Sequence, residues 1–160
     1  MYYQKLYRSV TKQGKLMTRI NIVPVRELSD QHLLAEYREL PRVIKGSFDL
    51  RSAPLKYCLG KGHVKWAKKY SSFVLERYCE LCKEMVHRGF TVNYPYTELV
   101  AYNKGCGERY NVTAEDIELN RDRLRSKYQL KGDWYKWTNR DKPEWMTVKR
   151  RNNENIWIDY

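Results

Sequence analysis

The sequence predicts a mainly α fold, a compact single domain of about three helices with long loops. Three observations carry this. Apolar residues recur at helical spacing in three stretches, near residues 29–44, 62–88 and 113–130. Each stretch opens or closes on a residue suited to a helix end: Ser29, Gly89, Thr113, Gly132. Between the last two, residues 91–112 hold Pro95, Gly105 and Gly107 and read as loop with short extended pieces. A chain of 160 residues buries a core without help from disulfides or metals.

The first helix starts at Ser29, with Asp30 in the first turn where the helix dipole favours an acid. Leu33, Tyr37, Leu40 and Ile44 form one apolar stripe. His32 and Glu39 lie nearly above one another on an adjoining face, and Arg38 and Arg42 flank Glu39. Pro41 is expected to kink or end the regular helix, although packing can carry its direction onward. A second helix is predicted from about Gly62 to Arg88, burying Val64, Phe73, Leu75, Tyr78, Leu81, Cys82 and Met85, with Gly89 as the residue after its end. A third runs from Thr113 to Leu130. Thr113 and Asp116 form a capping pair, Gly132 stops the helix, and Ile117, Leu124 and Tyr128 face the core.

Lys and Arg outnumber Asp and Glu by 31 to 19, a net charge of +12. With 14% aromatics, such a balance points to a polyanionic partner, most often nucleic acid. The four cations of residues 1–16 (Lys5, Arg8, Lys12, Lys15) supply only a third of that net charge. No apolar run approaches the ~18 residues that a membrane span needs, and the N-terminus lacks the apolar region of a secretory signal. A cytoplasmic setting is therefore expected, with the cysteines reduced. Cys79 and Cys82 have zinc-like spacing. They fall inside a helical pattern with no second close pair, so they read as ordinary helix cysteines rather than metal ligands.

Residues 17–42 read Met-Thr-Arg-Ile-Asn-Ile-Val-Pro-Val-Arg-Glu-Leu-Ser-Asp-Gln-His-Leu-Leu-Ala-Glu-Tyr-Arg-Glu-Leu-Pro-Arg. Thr18 to Asn21, Gln31 to Leu33 and Ala35 to Arg42 closely resemble the start of the pyrimidine-dimer DNA glycosylase and AP lyase family of the bacteriophage endonuclease V type. The resemblance implies a glycosylase for cyclobutane pyrimidine dimers in duplex DNA, with coupled strand cleavage at abasic sites. Its nucleophile matches the α-amine of Thr18 and its catalytic carboxylate matches Glu39. Its DNA contacts match Arg19, His32, Arg38 and Arg42. No metal and no organic cofactor is implied, and the protein is expected as a monomer.

These residue types suit that chemistry. An amine must be neutral to attack a sugar carbon; an α-amine has a pKa near 7.7–8.0, so roughly a tenth is neutral at pH 7, about three hundred times more than for a free lysine. Neighbouring arginines lower it further and also grip phosphate. A carboxylate stabilises the positive charge that develops on the sugar and takes the proton whose loss permits β-elimination. Read without the resemblance, Glu39 is an acid between two arginines, where a surface ion pair is the common role. A lone His32 is more often a packed or surface histidine.

Further patches extend the likeness. Leu59 to Val64 resembles the turn opening the family's second helix, and Arg88-Gly89-Phe90 its end. Arg123-Leu124, then Lys127, then Trp134-Tyr135-Lys136-Trp137 resemble its third helix and the aromatic segment beyond. By that match Arg123 and Lys127 hold phosphates, and Trp134, Tyr135 and Lys136 belong to the DNA surface. Core packing with a solvated charged face accounts for these residues about equally well. Lys65, Trp66, Ala67, Lys68 and Lys69 replace the family's Phe-Tyr-Asp run, Thr138 replaces an aromatic, and residues 91–112 show no match.

The organisation expected is an N-terminal extension over 1–16, a glycosylase/AP lyase domain over 17–138, and a basic aromatic tail over 139–160 packed on or continuing the domain. An α-amine on Thr18 requires translation from Met17 and removal of that methionine, which a small second residue favours. Gln13-Gly14-Lys15 can be encoded with an AGGA run where a ribosome-binding sequence would sit. The alternatives are a non-catalytic basic DNA-binding protein on the same scaffold and, with no convincing ligand cluster behind it, a metal-dependent nuclease.

Overall fold

The structure, a computed structural model, describes residues 19–103, 107–146, 150–151 and 157–158. Thr18, with the rest of the first eighteen residues, and Cys106 lie outside these described residues. The described residues form five α-helices: α1 (Asp30–Lys45), α2 (His63–Lys69), α3 (Ser71–His87), α4 (Tyr96–Val100) and α5 (Ala114–Lys131). Single turns of 3-10 helix lie at Val25–Glu27, Gly132–Trp134 and Glu144–Met146. Two-residue strands, β1 (Arg150–Arg151) and β2 (Trp157–Ile158), pair antiparallel with Arg150 opposite Ile158. The chain is mainly α, as predicted. No helix among the described residues is long and apolar enough to cross a membrane.

The ends of the long helices form where the sequence places them. Ser29 caps α1, its hydroxyl accepting the His32 N–H. Thr113 and Asp116 make a reciprocal capping box on α5. Gly89, at φ +82, takes the left-handed conformation after α3. Pro41 lies inside α1 without ending it. Leu40, Val43 and Ile44 are all buried around it, and their packing outweighs the one backbone hydrogen bond that proline removes.

Two expectations are corrected. The second predicted helix is two helices, α2 and α3, broken at Tyr70 (φ −96, ψ 41). The Tyr70 hydroxyl donates to the Leu55 carbonyl at 2.8 Å, and its ring packs on Trp66 and Tyr110. Tertiary contacts thus break the helix where local sequence gives no signal. In the predicted loop, Pro95 starts the short helix α4, which buries only Leu99.

The core is one cluster, with α1 packed on α3. Trp66, in the segment that departs from the family pattern, is fully buried. Rings of Tyr57, His63, Tyr70, Phe73 and Tyr110 surround it. Gly62 precedes α2 at φ +88, and a Cβ there would stand 2.8 Å from Pro54. The chain after α5 folds back across the start of α1: Asp30 N–H donates to the Lys136 carbonyl at 2.7 Å. The Thr138 N–H and hydroxyl donate to the Asp30 carboxylate at 3.0 and 2.6 Å. Arg88 pairs with Asp30 at 2.9 Å and with Glu84 at 3.0 Å, and Arg140 pairs with Glu84 at 2.8 Å. This buried charge cluster fixes the segment after α5 against both α1 and α3. Trp145 and Met146 continue it onto α5, where Arg125 Nε donates to the Trp145 carbonyl at 2.9 Å.

Candidate active site

Ile20 to Val23 run buried through the interior as a segment outside any helix or strand. Its backbone groups have no ladder partner, and leaving them unpaired would be costly. Side chains from three helices satisfy all four N–H groups. Ile20 N–H donates to His63 Nε2 of α2 at 2.8 Å. Asn21 N–H donates to Glu36 Oε1 of α1 at 2.9 Å. Ile22 and Val23 N–H both donate to Asn120 Oδ1 of α5, at 2.7 and 3.1 Å. On the carbonyl side, Ile20 accepts the Tyr57 hydroxyl at 3.0 Å and Val23 accepts Arg77 Nη1 at 2.7 Å.

The clamp is closed on itself. Asn120 Nδ2 donates to Asn21 Oδ1 at 2.8 Å, and Asn21 Nδ2 to Glu36 Oε1 at 2.7 Å. Arg77 of α3 forms a buried ion pair with Glu36, and Val23 takes one of its remaining donors. Asn21, Glu36, His63, Arg77 and Asn120 are all buried. Apart from the quoted motifs, which contain Asn21, Glu36 and His63, sequence reasoning gave these residues no role. The signal was present: Glu36, Arg77 and Asn120 each occupy an apolar-stripe position, three residues after Leu33, Val74 and Ile117 and four before Leu40, Leu81 and Leu124.

Arg19 precedes the clamped segment and is only partly exposed. Burial lowers its pKa. Arg123 of α5 is pushed down to about 10, by burial first and then by the charge of Arg19. Its Nη1 is buried and has no acceptor among the described residues. Arg19 and Arg123 thus lie near enough for the charge of one to lower the pKa of the other.

His32 packs beside this pair. Its ring stacks on Tyr135 with centroids 5.2 Å apart and meets the edge of Tyr128 at 4.9 Å. Burial, then the charges of Arg123 and Lys127, lower its pKa to about 3, and Nδ1 contacts the Ser29 hydroxyl at 3.0 Å. His32 is therefore a neutral ring at physiological pH. Trp134 packs edge-on against Tyr135 at 4.8 Å, and the Lys131 ammonium lies 4.8 Å from the Trp134 ring. Lys127 and Lys136 are exposed. The Lys136 backbone is pinned through its N–H, which donates to Gln31 Oε1 at 3.1 Å.

Arg38, Glu39 and Arg42 lie on α1 one turn beyond Glu36. Arg38 and Arg42 are exposed. Glu39 pairs with Arg42 at 3.2 Å, its own side chain only 20% exposed. The structure thus brings Arg123, Lys127 and Tyr135 around His32, with Trp134 against Tyr135, Arg19 near Arg123 and Lys136 following in the chain. Glu39, Arg38 and Arg42 form a second group along α1. Thr18, the residue before Arg19, falls outside the described residues. Cys79 and Cys82 sit on α3 as partly buried free thiols.

Residues 17–98 match a family model described as pyrimidine dimer DNA glycosylase, which is more than half of the chain.

Proposed function

Because this chain belongs to the pyrimidine dimer DNA glycosylase family, we propose that it excises cyclobutane pyrimidine dimers through an imine to the α-amine of Thr18 and then cuts the strand as an AP lyase. One observation carries the reading: the four-point clamp on Ile20–Val23. It fixes Asn21 against Glu36, and the Thr18 nitrogen is three residues away, about 10 Å of chain at most. Glu39 lies one turn, about 4.5 Å, further along α1. A chain of that length is long enough to bring an amine at position 18 to the Glu39 carboxylate, and Arg19 follows it directly in sequence.

In the proposed reaction basic side chains hold the phosphates of duplex DNA, with Arg19 and Arg123 as a partly buried pair. A damaged nucleotide leaves the stack at lower cost than a normal one. The neutral Thr18 amine attacks C1′ of the 5′ nucleotide of the dimer. The C1′–N glycosidic bond breaks and its electron pair leaves with the base. The added nitrogen loses one proton, and its lone pair then opens the sugar ring, breaking the C1′–O4′ bond with O4′ taking a proton, to give the protonated imine. Glu39 stabilises the cationic sugar and then takes a proton from C2′. The C3′–O bond breaks, the phosphate leaves, and water releases the enzyme from the imine. Cations around position 18 keep more of the amine neutral at pH 7.

The test compares two proteins on a duplex with one abasic site. Chain beginning at Thr18 cuts the strand, and chain with an intact Met1 terminus binds it without cutting. Equal cutting by both overturns the assignment of the amine. Binding without cutting by both favours a non-catalytic DNA-binding protein.

A further inference from the structure

We propose that His63 is a positioning residue for the amine at position 18, setting the direction in which the chain leaves Ile20 toward it. This rests on the reading of Thr18 as the nucleophile. His63 is 1% exposed at the first residue of α2. Its two ring nitrogens face two different backbone groups. Nδ1 lies 2.7 Å from the Cys58 carbonyl, which can only accept. Nε2 lies 2.8 Å from the Ile20 N–H, which can only donate. A single neutral tautomer, protonated on Nδ1, satisfies both.

Ile20 is held from its other side as well. The Tyr57 hydroxyl donates to its carbonyl at 3.0 Å, and the Tyr57 ring packs edge-on against His63 with centroids 5.7 Å apart. The two rings close on one peptide unit like a vice. Glu36 and Asn120 hold the chain further on, at Asn21 to Val23. His63 is thus the grip nearest in sequence to position 18, with one residue between its bond and the proposed nucleophile.

Filling the space does not call for an imidazole here; the buried Ile20 N–H does, because it needs an acceptor. Trp66, Tyr57 and Tyr70 already fill the neighbourhood with rings, and another apolar ring would pack there. Only an acceptor at the place of Nε2 restrains Ile20. The charged and titratable groups around the ring keep that acceptor available. Burial first, then the charges of Arg19 and Arg123, hold His63 neutral with its pKa lowered to about 4, although the hydrogen bond that the Cys58 carbonyl accepts from Nδ1 works the other way. Tyr57 stays protonated because burial raises its pKa.

Two substitutions separate the ring's two bonds, in protein verified to begin at Thr18. His63→Asn keeps a donor for Cys58, but its amide stops short of Ile20. His63→Gln carries an amide oxygen out to the place of Nε2. The measurements are melting temperature, affinity for a duplex bearing a tetrahydrofuran abasic analogue, borohydride trapping on a true abasic duplex in single turnover, and hydrogen exchange of the Ile20 amide. His63→Asn is expected to bind the analogue like wild type, to trap about 10- to 100-fold more slowly, and to expose the Ile20 amide to exchange. His63→Gln restores most of the trapping rate. If His63→Asn does not fold, Tyr57→Phe, which keeps the ring and frees the Ile20 carbonyl, is expected to slow trapping without loss of binding.

Wild-type trapping by His63→Asn overturns the proposal, as does equal slowing in both His63 variants in step with melting temperature. A wild-type protein that traps nothing removes the nucleophile, and this role with it. Ile20 exchange still reports in that case whether His63 holds the segment.

Discussion

Glu36 and Glu39 stand one turn apart on α1 and do opposite things. Glu36 is 2% exposed and spends its oxygens on Asn21 and on a buried arginine. Glu39 is partly open and pairs with the exposed Arg42. The same contrast runs through the molecule. The segment Ile20–Val23 is a closed, buried polar network in which each backbone donor has its acceptor. The outer face of α1 carries the exposed Arg38 and Arg42, and Arg123 Nη1 has no acceptor among the described residues. The chemistry proposed here needs both: a rigid anchor that fixes where the chain's reactive end lies, and an open set of charges that meets DNA.

The two glutamates give the sharpest way to break this comparison. Glu39→Gln is expected to lower glycosylase turnover on dimer-containing duplex by roughly 10²- to 10⁴-fold, the usual size of a lost acid–base group. Affinity for the abasic analogue and the melting temperature stay near wild type. Glu36→Gln should do the reverse in kind, costing about 3–5 kcal/mol of folding stability because Arg77 is left buried without its charge partner. Denaturant unfolding measures this, and a Glu36 variant as stable as wild type contradicts the clamp.

Asn120→Ala sharpens the picture from a second helix. It leaves the Ile22 and Val23 N–H groups buried without an acceptor, at an expected cost of about 2–4 kcal/mol in the same unfolding assay. Arg42→Ala, on the open side, should cost under about 1 kcal/mol of stability. If Arg42 meets a phosphate, its loss lowers the slope of log affinity against log salt by about 0.9.

Acid should loosen the buried side gradually. His32 and His63 are neutral when folded, with pKa values of about 3 and about 4, against 6.5 when unfolded. Between these limits the unfolded chain binds more protons than the folded one, so stability falls as pH drops below about 6.5. The loss is complete near pH 3 for His32 and near pH 4 for His63. Unfolding free energies at a series of pH values check this, and His32→Phe should make the fall shallower.

Local chemistry made much of the fold legible. Ser29, the Thr113–Asp116 pair and Gly89 act at helix ends through their nearest neighbours, and the structure places each where the sequence does. The break at Tyr70 was not legible, because residues distant in the chain, Leu55 and Tyr110, set it. Nor was α4, whose five residues bury a single side chain and so show no period. In the site, Arg19, Glu39 and Arg123 stood out as charged residues in a recognisable pattern. Glu36, Arg77 and Asn120 did not, since a polar residue in an apolar stripe reads as noise until its buried partner is known. His63 was hidden differently: it lay within a quoted motif, but the Ile20 N–H it serves is 43 residues away.

The account turns on a free amine at position 18. Protein verified to begin at Thr18 should be mixed with UV-irradiated duplex and borohydride, and the covalent adduct digested and mapped by mass spectrometry. The account predicts a deoxyribose remnant on the α-nitrogen of Thr18, formed far more slowly by Glu39→Gln. An adduct on a lysine side chain, or no adduct at all from that protein, contradicts it.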